Sequence, residues 1–356
     1  MAGQVRIGLI GAGWWGTQYH IPSLLAYPKA ELVGVADLDP AKREGVRRSY
    51  GIDAVFESHT DLIERARPQG VIVAVQHAYH YQVARDALEA GVAVMLEKPM
   101  TLHAAEAWEL VELARRKGVV LTVGYPSNYT SLARAAREAI TGGEIGDIEL
   151  STSLYASMVL EFLRGNPEAY RTSFNFPVTA PSASTYSDPK VAGGGQGHLQ
   201  VTHPAGILLW ITGLRVAEVF AFMEKKGLAV DLLDSISVRF EGNSLGTLAS
   251  TGSISPDRPS GNEIRVYGSA GSVHLDLAQG VLAIHRAGLP SRSVEPEPGE
   301  NLYPAHVTSR NLVDLLAGDE ETCAPGELGA RVVELLDAAY RSAESGTAIK
   351  VRPLSD

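Results

Sequence analysis

The chain holds a single cysteine, Cys323, among 356 residues. No intrachain disulfide can form, and the expected location is a reducing cytoplasm. Positive charge is scarce: 31 Lys and Arg stand against 41 Asp and Glu, a formal net charge of −10. No Lys/Arg block or basic–aromatic interleaving occurs, which argues against a nucleic-acid partner. Long apolar runs are missing too. The longest, around Ala205 to Leu214, is far too short to cross a bilayer. Val5 to Gly11 lacks the preceding basic region and the cleavage site of a signal peptide, so no membrane association or export is expected. No repeat or low-complexity tract is present. What remains is an ordinary globular composition, 45% hydrophobic and 20% charged, at a length that suggests two domains.

The first third alternates short apolar runs with amphipathic ones. Strands are predicted near 5–10, 31–37, 53–56, 70–75, 92–96 and 119–123, and helices over 14–27, 40–50, 60–67, 78–90 and 103–117. This alternation implies a parallel sheet covered on both faces. Beyond Gly124 the pattern changes to a helix over 130–141, a long strand near 147–158 and a helix over 196–213. Strands then follow at 217–224, 234–241, 245–254, 262–268, 272–276 and 281–286, and helices over 305–317 and 326–345 close the chain. The fold expected is an α/β Rossmann domain (1–124) joined to an α+β domain (125–356) with a large, open, mainly antiparallel sheet. The Pro/Ser-rich stretch from about 164 to 192 reads as a binding loop or a disordered one.

Gly11, Gly13 and Gly16 stand in G-x-G-x-x-G spacing directly after the first strand, with Trp14 and Trp15 between them. The second strand ends in Asp37, roughly twenty residues beyond the last glycine, where a dinucleotide fold sets the carboxylate for the ribose hydroxyls. Glu97-Lys98-Pro99 follows the strand at 92–96, at the carboxyl edge where ligands of open α/β sheets bind. A Lys beside a bound cofactor can donate to a substrate oxygen, and burial can lower its pKa enough for proton transfer. Gly193-Gly194-Gly195 precedes His203, a residue able to exchange a proton near neutral pH. Pro204 makes His203 either a helix cap or a residue inside a disrupted helix. His198 lies five residues from His203, which does not suit a helical metal pair, and no metal is expected.

Taken together, these motifs resemble the Gfo/Idh/MocA family, the glucose–fructose oxidoreductase and inositol dehydrogenase relatives. The resemblance also includes His80 ahead of Ala87-Leu88-Glu89-Ala90-Gly91, and Tyr267-Gly268-Ser269-Ala270-Gly271. It implies a nicotinamide cofactor held by Gly11, Gly13, Trp14, Trp15, Gly16, Asp37, Val75, Gln76, His80, Glu97 and Lys98. Hydride would pass between C4 of the nicotinamide and a carbon of a sugar, cyclitol or derivative. Lys98 and His203 would be the proton-transfer pair, with His203 as base. Three positions depart from the family pattern. Leu199 replaces an Asp four residues before the His, Val75-Gln76 replaces a Thr-Pro pair, and Tyr186, Asp188 and Lys190 occupy the place of a Trp-Arg pair.

Tyr125, Tyr155, Arg164, Tyr170, Arg171, Tyr186, Gln200 and His203 are the candidate substrate contacts, and Arg164, Arg171 and Lys190 would suit an anionic substrate. Asp37 favours NAD over NADP, because it would repel a 2′-phosphate. Lys42 and Arg43 read as a solvated helix face. Besides a dehydrogenase or reductase, two readings remain open: a glycoside hydrolase that oxidises and re-reduces its substrate with recycled NAD, and a non-catalytic NAD-responsive protein. Relatives are commonly homodimers or homotetramers, and self-association through the open sheet face is expected.

Overall fold

The computed structural model describes residues 3–255, 257–319 and 321–351. Six strands form the first sheet: β1 (Val5–Ile10), β2 (Ala30–Ala36), β3 (Val55–Phe56), β4 (Gly70–Val73), β5 (Ala93–Leu96) and β6 (Leu121–Val123). Their order is β3-β2-β1-β4-β5-β6, with parallel neighbours throughout. The order reverses between β1 and β4, which opens a crevice at the carboxyl ends of those strands. Both faces are apolar because side chains alternate along each strand. Ala93 and Met95 of β5 enter one core with Ile7, Leu9 and Ile72, whereas Val94 and Leu96 enter another with Val71 and Val73. Helices His80–Glu89 and Ala104–Lys117 cover the second of these faces. On the first, Ile21–Leu25 is joined by Val307–Ala317, whose Leu312 and Val313 are fully buried against it. Residues from far beyond 124 thus complete the first layer.

The second sheet contains β7 (Ile148–Ala156), β8 (Val216–Glu224), β9 (Leu233–Phe240), β10 (Leu245–Thr251), β11 (Gly261–Gly268), β12 (Gly271–Asp276), β13 (Val281–Arg286), β14 (Arg292–Val294) and β15 (Ile349–Lys350). Its order is β14-β13-β12-β11-β7-β10-β9-β8-β15, antiparallel except for the central β7–β10 pair. Val219, Ile236, Val238, Leu248, Ile264 and Val266 point into the core beneath the helices Ser131–Thr141, Thr202–Thr212 and Gly326–Ser345. The opposite face is open, and Leu150, Leu154, Phe222, Leu245 and Tyr267 are exposed on it. Among the described residues, no helix is long and apolar enough to cross a membrane.

The two-residue β15 and three-residue β14 carry too few residues to show a period, and the sequence reading lacks both. The stretch from 164 to 192 is not a featureless loop. It winds through the short turns Pro167–Tyr170, Ser184–Ser187 and Pro189–Ala192 and packs over the glycine turn of the first sheet.

Candidate active site

β1 runs into Gly11, whose φ of 102° suits only glycine. A Cβ there would lie 2.4 Å from the Ala74 carbonyl oxygen just beyond β4, and one on Gly16 would lie 2.5 Å from the Gly11 oxygen. Both glycines close the turn, and Gly16 is not part of the cavity wall. Gly13 is different: a Cβ on it would meet no protein atom within 4 Å. It lines a cavity of about 1390 Å³ at the mouth of the crevice, together with Trp14, Trp15, Asp37, Val75, Gln76 and His80. The residues fit a dinucleotide. Gly13 leaves its backbone open to a pyrophosphate, and the end of β2 supplies a carboxylate for ribose hydroxyls.

Asp37 is fixed from behind by the loop it serves. Its Oδ2 accepts from the Ala12 N–H at 2.8 Å and its Oδ1 from the Asp39 N–H at 2.9 Å. Lys42 and Arg43 are not a solvated face. Lys42 Nζ lies 3.7 Å from Asp37 and on the cavity, while Arg43 folds back to donate to the Asp37 and Leu38 carbonyls. Helix Pro40–Tyr50 starts directly after Asp39, so its first turn is still in reach of the β2 end.

Glu97, Lys98 and Pro99 leave the carboxyl end of β5. The Glu97 carboxylate is buried and accepts from Trp15 Nε1 and His20 Nε2, each at 2.9 Å. Burial acts to raise its pKa, but the His20 hydrogen bond and the His20 and Lys98 charges outweigh burial and keep it ionised. His80, buried, sets its ring between the Pro99 and Val75 carbonyls at 2.7 and 3.0 Å, tying the Lys98 segment to the end of β4. Lys98 Nζ donates to the Leu199 carbonyl at 2.9 Å. Burial brings its pKa down to about 8, against the pull of Glu97.

Pro204 lies inside a continuous helix, so His203 is not a cap. Gly197–Val201 is a wide π turn that runs into Thr202–Thr212. In that register the proline, which has no N–H, stands five residues beyond Leu199, and the Leu199 carbonyl takes its donor from Lys98. His203 is thereby aimed at the cavity one turn past the lysine contact. Burial first, and then the Lys98 charge, hold the imidazole pKa well below its usual value. The glycine triplet serves the protein's own packing. Cβ atoms on Gly194 and Gly195 would lie 2.1 Å from the Tyr340 hydroxyl and 2.0 Å from the Asp231 carbonyl oxygen. The buried Asp231 carboxylate accepts from the Gly195 and Gly197 N–H groups, both at 2.7 Å, and from the Tyr340 hydroxyl at 2.9 Å.

Tyr155, Tyr186 and Gln200 line the cavity as the sequence suggests. Five other candidates do not. Tyr125 is buried, bonded to Thr202 and covered by Gly206. Tyr170 packs on Phe162 and accepts from the Glu161 N–H. Arg164 pairs with Glu161, and Arg171 pairs with Glu168, each with an acid three residues before it. Lys190 is exposed and off the wall. Trp14 is the centre of an aromatic cluster, stacked on Phe162 at 5.9 Å and met edge-on by Phe174 and Phe176, with its Nε1 donating to the Tyr186 hydroxyl.

Three residues on or beside the wall escaped sequence reasoning. His20 holds Glu97, and Asn262 presents a buried Oδ1 without a hydrogen-bond partner. Tyr303 stands with its hydroxyl 3.4 Å from His203 Nε2. None belongs to a motif, and His20 and Tyr303 act across long separations in the chain.

Residues 5–125 match the model of an oxidoreductase family with an NAD-binding Rossmann fold, and residues 133–274 match the GFO/IDH/MocA C-terminal domain. The chain is 32% identical over 151 residues, 42% of its length, to dTDP-3,4-didehydro-2,6-dideoxy-alpha-D-glucose 3-reductase of Saccharopolyspora spinosa. It is 29% identical over 149 residues, again 42%, to D-glucoside 3-dehydrogenase of Escherichia coli K12. These matches span less than half of each relative, 45 and 42%. A solved inositol dehydrogenase homologue from Azotobacter vinelandii, complexed with NAD+, superposes with a TM-score of 0.82 at 22% identity, over 98% of both chains. With both domain models matched in order along one chain, this protein belongs to the Gfo/Idh/MocA oxidoreductase family.

Proposed function

We propose that the chain is an NAD-dependent dehydrogenase or reductase of a sugar, cyclitol or sugar derivative. The convergence of Lys98 and His203 on the cavity that the glycine turn opens carries this reading. Asp37 favours NAD: its carboxylate suits ribose hydroxyls and repels a 2′-phosphate. Bound NAD supplies the hydride acceptor at C4 of its nicotinamide. The protein handles the proton. His203, kept neutral by burial, is the base at which the proton lost by the substrate hydroxyl is balanced, while the Lys98 ammonium holds the substrate oxygen and favours the developing negative charge. Glu97, fixed by Trp15 and His20, holds the backbone from which Lys98 projects. The names of the relatives, a glucoside dehydrogenase and a sugar reductase among them, agree with the substrate class.

The phenols of Tyr155, Tyr186 and Tyr303 on the same wall favour one second reading. A phenol can protonate a leaving aglycone, so the cavity also suits a glycoside hydrolase that recycles its NAD. A panel of sugars, cyclitols and aryl glycosides assayed with NAD separates the two. NADH accumulating in step with oxidised product supports the dehydrogenase; aglycone release without net NADH supports the hydrolase. The open face of the second sheet is proposed as the contact of a homodimer or homotetramer.

A further inference from the structure

We propose that Tyr303 relays the proton between the substrate hydroxyl and His203, an inference that rests on the oxidoreductase reading above. Tyr303 lines the cavity with Lys98 and Tyr155, and its hydroxyl stands 3.4 Å from His203 Nε2. The two rings meet edge-on at 5.7 Å, while Tyr155 lies nearly parallel to the imidazole on another side at 6.5 Å. Family relatives with an Asp one turn before the histidine have a carboxylate there; Leu199 offers none. Among the described residues the hydrogen-bond partner of the His203 ring is the Tyr303 hydroxyl. Contacts of this kind are often long before substrate binds and tighten in the reacting complex.

The position of Tyr303 is held independently of His203. The Glu300 carboxylate accepts from the Ser131 N–H at 2.7 Å, from the Ser131 hydroxyl, and from the Glu297 N–H at 3.2 Å. The Tyr303 N–H donates to Asn301 Oδ1 at 3.0 Å, and the chain then enters helix Val307–Ala317 against the first sheet. The tyrosine is therefore pinned between the two sheets, its ring 6.3 Å from Trp15 of the glycine turn. Burial, reinforced by Tyr155 and Glu97, raises its phenol pKa well above the usual value, so it is a proton donor at rest. His203 beside it is neutral and accepts.

In oxidation, the substrate O–H proton passes to Tyr303 Oη as the Tyr303 proton passes to His203 Nε2. The C–H electron pair leaves as hydride to the nicotinamide dinucleotide. The products are a carbonyl compound, an imidazolium at His203 and an unchanged phenol. Reduction runs the same steps backwards.

The test pairs ligand-free spectroscopy with kinetics. In 15N-histidine-labelled protein, Tyr303→Phe is expected to shift the Nε2 resonance of His203, assigned by its loss in His203→Gln, without loss of the folded near-UV spectrum. With NAD and myo-inositol, D-glucose and methyl glucosides as probes, Tyr303→Phe is expected to lower kcat by ~10²-fold at little change in KM. The double variant with His203→Gln should be no slower than His203→Gln alone. Wild-type kcat in Tyr303→Phe, an unmoved Nε2 resonance, or multiplying effects in the double variant would each overturn the relay and leave the oxidoreductase reading intact. A resonance shifted in Tyr303→Phe, beside a wild type that transfers no hydride to or from any probe, would sink that reading, and the relay with it.

Discussion

Lys98 and Asp37 each line the cavity and also make a contact inside the protein, and their substitutions should separate the proposed role from that contact. Lys98→Ala is expected to cut turnover by ~10²-fold or more, the usual scale for a proton-transfer group, with NAD affinity little changed. Its ammonium titrates near pH 8. It is charged below that value and neutral above, so kcat/KM for oxidation should hold level through neutral pH. Above about 8 it should fall roughly tenfold per unit as the charge holding the oxygen is lost. His203 is already neutral throughout this window and adds no acid limb. A profile that keeps rising past pH 9 (roughly one unit above the Lys98 value) would contradict the role given to Lys98. Asp37→Ala removes the acceptor of the Ala12 and Asp39 amides and frees Lys42, 3.7 Å away, to meet a phosphate. The ratio of NADP to NAD dissociation constants should shift toward NADP by at least about tenfold, ~1.4 kcal/mol, as measured by titration calorimetry.

At the scale of elements, the glycine turn offers a clean contrast. Gly13→Ala places a methyl group in the open cavity, so thermal stability should stay within ~0.5 kcal/mol while dinucleotide affinity falls. Gly11→Ala meets the Ala74 carbonyl at a positive φ and should lower stability by ~2 kcal/mol or more; paired melting and binding curves decide it. The first sheet was readable because its strands are short apolar runs, all but β4 closed by a glycine or an acid, and Gly11, Asp37 and Lys98 all stand at strand ends. The inward alternation of the second sheet was equally plain. What stayed hidden depends on distance. Tyr303 sits in an aperiodic stretch and reaches a histidine one hundred residues away, and Asp231 serves amides more than thirty residues off. Arg164 and Arg171 could have been set aside from the sequence. Glu161 and Glu168 stand three residues before them, the helical spacing for an ion pair.

Across the whole molecule, the second sheet offers a hydrophobic face in which cross-strand register sets Leu245 beside Leu150, Leu150 beside Tyr267, and Ala249 beside Leu154. Phe222, at 67% exposure, stands further along it on β8. This exposed apolar surface is the contact proposed above for self-association. The pair Leu154→Lys and Phe222→Lys is expected to yield monomers by sedimentation with unchanged secondary structure, and an oligomer that survives both would place the contact elsewhere. The Trp14 cluster has a different consequence, one of timing. Trp14 belongs to the first sheet's glycine turn, yet Phe162, Phe174, Phe176 and Tyr186 of the 158–192 stretch enclose it. Because the Trp14 indole is on the cavity wall and is held by that stretch, release of a dinucleotide seated on the turn should be the slow step of each turnover. Trp14→Ala should shorten the dinucleotide's residence by roughly tenfold or more, ~1.4 kcal/mol, as read from stopped-flow displacement of bound NADH.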